Sequence, residues 1–124
     1  MKTMPAITWF DIPADDTGRA RAFYEKLFSW EIEPFPGVSR EDFWMVSTGR
    51  DAIGGDLYRR ESAEQHMAIF IDVPNAEEYA QRAAQLGGTV VGEKTAVAGR
   101  GYYIICEDTE KNRFGLWESD PAAR

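Results

Sequence analysis

Between Ile7 and Pro13 apolar and polar residues interleave as ITWFDIP, the two-residue period of a strand with one buried face. Beyond Asp15 and Asp16 the period lengthens. Ala20, Phe23, Tyr24, Leu27 and Phe28 fall at i, i+3, i+4, i+7 and i+8, which predicts one apolar stripe on an amphipathic helix with acidic capping at its start. Three more strands are predicted over 30–34 (WEIEP), 42–48 (DFWMVST) and 52–58 (AIGGDLY), separated by the turn-forming stretches PFPG and TGRD. The first half therefore reads β-α-β-β-β.

The second half repeats that order. HMAIFIDV (66–73) is a predicted strand, and Asn75 with Glu78 forms an N-cap and capping-box pair for a helix whose Tyr79, Ala83 and Leu86 share one face. Gly87-Gly88 stops it. Strands are expected over 89–95, 101–107 and 112–117, the last two joined through the polar loop DTEK. WFDIP answers FIDVP, each running into a helix, so an internal duplication follows, with modules at about 6–60 and about 65–119 of one domain.

A length of 124 residues fits a single domain or two small fused repeats, and 44% hydrophobic with 28% charged residues is enough for a packed core. The net charge of −7 repels a phosphate backbone, so nucleic acid is not an expected partner. No apolar run reaches the length of a membrane span, and the N-terminus lacks a signal-peptide core, so a cytoplasmic, unprocessed protein is expected. Cys106 is the only cysteine, which rules out an intrachain disulfide and a four-cysteine zinc site, and its apolar strand suits a buried small hydrophobe.

The stretches WFDIPADDTGRARAFYEKLFSWEIE, IGGDL, FIDVPNAEEYAQRAAQLGG and EDTEKNRFGLWE resemble the vicinal oxygen chelate superfamily, which holds glyoxalases, bleomycin-resistance proteins and extradiol dioxygenases. The resemblance covers about residues 7–118. It implies an α+β fold of two tandem βαβββ modules, forming a curved mixed sheet around a small-molecule cleft, usually in a homodimer, with a divalent metal in the enzymatic branches. Four metal ligands, mostly His and Glu, come there from the first and last strand of each module. Counting seven residues back from Asp16 puts the first position on Trp9, and the same count from Asn75 puts the third on Ala68. The fourth falls on Gly115 and the second on Gly55 or Asp56. Three of the four positions offer no ligating side chain, whereas a catalytic zinc or iron site needs about three protein ligands, so loss of the chelate is expected.

Strand parity gives the same faces without the family. If Trp9, Ala68 and Gly115 face the cleft, then Phe10, Ile12, Ile69, Ile71, Val73, Phe114 and Leu116 face the helices, and that set is wholly apolar. The cleft side then carries Trp9, Asp11, His66, Ala68, Phe70, Asp72, Arg113, Gly115 and Trp117, a mixed lining that suits an organic ligand. Candidate catalytic groups are His66, Asp11 and Asp56. His66 has the pKa range of a base, against the plain alternative of a half-exposed rim residue. Asp11 and Asp72 are possible paired carboxylates, or caps of the turns that follow them. Asp56 is an inward acidic group unless a bulge at Gly54-Gly55 reverses it, and Asp56 with His66 are the weak metal candidates. Phe43 and Trp44 must split between faces, and parity leaves open which is inside.

Three functions compete: a metal-free small-molecule binding protein of the glyoxalase/bleomycin-resistance type, a metal-dependent lyase, isomerase or dioxygenase, and a structural or regulatory module. The ligand positions count against the second. The third would bury Asp11 or Arg113 without a partner, which is costly. The first is the expectation carried forward.

Overall fold

In a computed structural model describing residues 4–124, the duplicated order predicted from the sequence is present, with one extra strand. The elements are β1 (Ile7–Ala14), α1 (Thr17–Phe28), β2 (Glu31–Pro34), β3 (Phe43–Ser47), β4 (Gly54–Arg59), β5 (Ala68–Asp72), α2 (Ala76–Gln85), β6 (Thr89–Val90), β7 (Thr95–Val97), β8 (Gly101–Glu107) and β9 (Arg113–Ser119). They form an α+β fold in two packed units, Trp9–Ala68 and residues 4–8 with Ile69–Arg124. None of the helices in the described residues is long and apolar enough to cross a membrane.

In the first unit β4 lies between β1, which it meets in parallel, and β3, and β2 pairs with β3 at the edge. Asp16 caps α1 by accepting the Arg19 N–H at 2.9 Å, as its position before the helical period predicts. Alternation along β1 sends Phe10, Ile12 and Ala14 to the helix side, where Ile12, Ala14, Ile32, Val46 and Leu57 form the core with Phe10, Ala20 and Tyr24 packed on it. The predicted helical stripe is only partly buried. Ala20 and Tyr24 meet the core, while Phe23, Leu27 and Phe28 are exposed, Phe28 with its ring against Trp30. Trp44 goes to the helix side, with its indole N–H on Thr17 Oγ1 at 3.2 Å and the Arg21 guanidinium over its ring. Phe43 therefore takes the opposite face.

In the second unit β9 lies between β5, in parallel, and β8, whose other edge carries β6 and β7. Ile71, Val73, Phe114 and Leu116 face α2 as predicted, joining Ile104, Cys106, Ala76 and Ala80, whereas Ile69 is exposed. The free thiol of Cys106 is buried, and burial pushes its pKa up. The single strand expected over 89–95 is broken in two, because the Val91 and Gly92 amides both donate to the Ile105 carbonyl and interrupt the pairing. Asn75 caps α2 through the Glu78 N–H as predicted. The buried face of α2 is Ala76 and Ala80 with Tyr79, and Leu86, expected on it, is the C-cap residue and 75% exposed.

Candidate functional site

The face of the first unit that turns away from α1 carries the chemistry. Parallel pairing of β1 with β4 sets Asp11 directly opposite Asp56, and Trp9 opposite Gly54. No bulge reverses β4: Leu57 is fully buried in the helix-side core, so its neighbour Asp56 points to the Asp11 side. The Trp9 indole N–H donates to Asp56 Oδ2 at 2.8 Å. The other oxygen, Oδ1, is buried with no donor from an N–H group, and Asp56 as a whole is 9% exposed.

Two carboxyls so placed cannot both ionise cheaply. Burial, then the charge of Asp56 and a hydrogen bond to it, push the Asp11 pKa up to about 9. Burial also raises Asp56, but the hydrogen bonds from Trp9 and from Asp11 oppose that rise. Burial and the neighbouring carboxylate thus both favour a proton on Asp11, while Asp56 Oδ1 has no hydrogen-bond partner. Tyr58, two residues along β4 on the same side, is pushed up to about 12, first by its own burial and then by Asp11 and Asp56.

A chain of ring contacts joins Trp9 and Tyr58, the two aromatic neighbours of the pair. Trp9 meets Phe35 edge-on at 6.2 Å, Phe35 meets Phe43 at 5.2 Å, and Phe43 meets Tyr58 at 6.5 Å. This series begins at the residue bonded to Asp56 and ends at a phenol that feels both carboxylates. Each ring is half-buried, so each keeps surface for a ligand. A separate open depression of about 390 Å3 lies at the start of α1, lined by Asp15, Asp16, Arg19, Phe23 and Arg60 among others. It touches none of these groups, and the convergent ionisable and aromatic side chains mark the better site.

The structure brings together three of the residues singled out in the sequence, Trp9, Asp11 and Asp56. The partner of Asp11 is Asp56 and not Asp72, which is exposed and opposite Trp117. His66 precedes β5 and is exposed, because residues 60–65 form a turn in which Gln65 accepts from the Glu61 and Ser62 amides, so the strand starts later than predicted. In the second unit Phe70 packs edge-on against Tyr103 at 6.2 Å and lies opposite Gly115. Arg113 pairs with Glu107 at 3.6 Å, and Trp117 donates to Ser119 Oγ. Phe35 and Tyr58 are not among the residues the sequence points to, and Phe43 is one side of the Phe43/Trp44 alternative that parity leaves open. Only their aromatic density in 35–58 hinted at them.

The donor set does not fit a chelated divalent metal. Trp9 faces Gly54 and Phe70 faces Gly115, and Ala68 offers no donor. A Cβ at Gly115 would come within 2.2 Å of the Phe70 ring, and one at Gly55 within 2.4 Å of the Phe10 carbonyl, so neither position has room for a ligating side chain. Among the described residues no three His, Cys, Asp or Glu side chains converge.

Comparison with known proteins agrees with this fold. No curated protein matches the chain in sequence. A glyoxalase/bleomycin resistance protein/dioxygenase superfamily member from Vibrio splendidus superposes with a TM-score of 0.66 at 13% identity, over 94% of this chain and 100% of that one. Methylmalonyl-CoA epimerase from Mycobacterium tuberculosis gives 0.66 at 13%, over 93% and 88%. Homoprotocatechuate 2,3-dioxygenase from Brevibacterium fuscum gives 0.66 at 14%, over 95% of this chain and 37% of that one. These likenesses are of fold. The sequence model of the glyoxalase-like domain matches residues 8–117, and with two βαβββ modules on the page the chain belongs to that family, within the vicinal oxygen chelate superfamily.

Proposed function

We propose that the protein binds a small organic ligand on the aromatic face of its first module, without a chelated metal. The observation that carries this reading is the Asp11–Asp56 pair, held in register beside a series of half-buried rings, with one buried carboxylate oxygen that no N–H group satisfies. Core carboxyls kept only for stability would be paired with a cation or replaced by apolar side chains. Asp56 can accept a hydrogen bond from a ligand, and the neighbouring rings supply apolar area beside it. The homodimer implied by the resemblance stays part of this reading, and Phe23, Leu27 and Phe28 are exposed apolar side chains available to it.

A thermal-shift screen of neutral and charged aromatic small molecules is expected to give compounds that raise the melting temperature of the wild type but not of Phe43→Ala, each measured from its own baseline. In parallel, protein incubated with Zn, Ni, Mn and Fe(II) and then desalted is expected to retain well under one equivalent of metal. Stoichiometric metal that is lost in Asp56→Ala would overturn the metal-free reading and restore the lyase, isomerase or dioxygenase alternative.

A further inference from the structure

Asp56 is the one charged residue among the described core side chains. Every Arg and Lys placed in an ion pair is engaged elsewhere: Arg21 with Glu25, Arg40 with Asp42 and Glu61, Arg60 with Asp15, Lys94 with Glu77, Arg113 with Glu107. None of these pairs reaches Asp11 or Asp56. A buried carboxylate without a counter-charge is an expensive arrangement, and it becomes favourable when a cation enters. The neighbours of the pair are suited to that cation. Trp9, Phe35 and Tyr58 present ring surface, while the Phe43 ring already has the Arg40 guanidinium over it at 5.3 Å, and aromatic faces attract ammonium groups electrostatically, most strongly where water is excluded. Trp9 is locked by its bond to Asp56 Oδ2, which leaves Oδ1 as the open acceptor. A bare metal ion is a poorer match, because two carboxyls and an indole N–H do not make three ligands.

Resting on the ligand-binding reading above, we propose that the ligand is an organic cation, an ammonium carried on an apolar or aromatic body, whose charge is taken up by Asp56 and whose body lies against the rings. Neutral and anionic molecules of the same shape bind less well, because they leave Asp56 uncompensated.

The test is isothermal titration of the full chain with four probes: 2-phenylethylamine, its neutral analogue 2-phenylethanol, the anion phenylacetate, and MgCl2 or ZnCl2 alone. The amine is expected to bind at least about tenfold more tightly than the alcohol, with phenylacetate showing no saturable binding. Asp56→Asn, which is isosteric and keeps an oxygen for the Trp9 indole, should reduce the amine's preference over the alcohol to about twofold or less, its fold checked by an unchanged cooperative melt. If the alcohol binds the wild type as tightly as the amine, the ligand site stands and the cation assignment falls. If no organic probe binds, both fall. A metal that binds stoichiometrically, displaces the amine and is lost in Asp56→Asn overturns the organic cation in favour of a metal.

Discussion

Replacing Leu57 by Ala is expected to lower the unfolding free energy by about 3–5 kcal/mol, the upper part of the range for a buried leucine. Leu57 is 0% exposed and sits among Ile12, Ile32 and Val46, so the cavity left behind has little room to collapse. A domain of this size holds about 5–15 kcal/mol in total, so the loss is a large share of it. Phe28→Ala, half-exposed at the end of α1 with its ring against Trp30, should cost clearly less despite removing a larger side chain. Urea melts of the two variants decide the matter. Equal losses would mean that the buried face of the first unit has been assigned wrongly, and with it the side to which Asp56 points.

The second large effect is on the pH dependence of stability. Asp11 has a folded-state pKa of about 9 against an unfolded value of 3.8, so between these values the folded chain holds a proton that the unfolded chain has released. Unfolding then loses a proton, and stability falls as pH rises through this window, by up to about 1.4 kcal/mol per pH unit for a fully held proton. Below the unfolded value both states are protonated and the contribution is constant. Above the folded value Asp11 ionises in both states and the fall ends. Asp11→Asn removes the carboxyl but keeps its shape, and the slope of melting temperature against pH between 5 and 9 should become clearly shallower than in the wild type. An unchanged slope would show that Asp11 does not hold the proton.

Local chemistry made much of this fold readable in the sequence. The two-residue period of ITWFDIP put Trp9 and Asp11 on one face and Phe10 and Ile12 on the other, and the helix caps Asp16 and Asn75 fell where short polar side chains precede an apolar stripe. What escaped depends on register between segments far apart in the chain. Asp11 and Asp56 were each visible as candidates, but their pairing is set by β1 meeting β4 in parallel, and the duplication drew attention to Asp72 instead. Phe35 lies in a turn outside any period, and Phe43 was hidden by Trp44 beside it, because alternation fixes that neighbours differ and not which of them is inside. The split of 89–95 comes from two amides sharing one carbonyl, a feature of backbone pairing that side-chain pattern does not encode.

The most direct measurement follows the four indole N–H resonances by two-dimensional nitrogen–proton NMR during titration with 2-phenylethylamine, with Trp9→Phe used to assign the Trp9 signal. The Trp9 indole is bound to Asp56 at the centre of the proposed site, whereas Trp30 and Trp44 pack on the helix side of the same unit. A saturable shift of the Trp9 signal with those of Trp30 and Trp44 unmoved is the expected result. A stationary Trp9 signal, whether the other indoles move or not, would contradict a ligand site built on Trp9, Asp11 and Asp56.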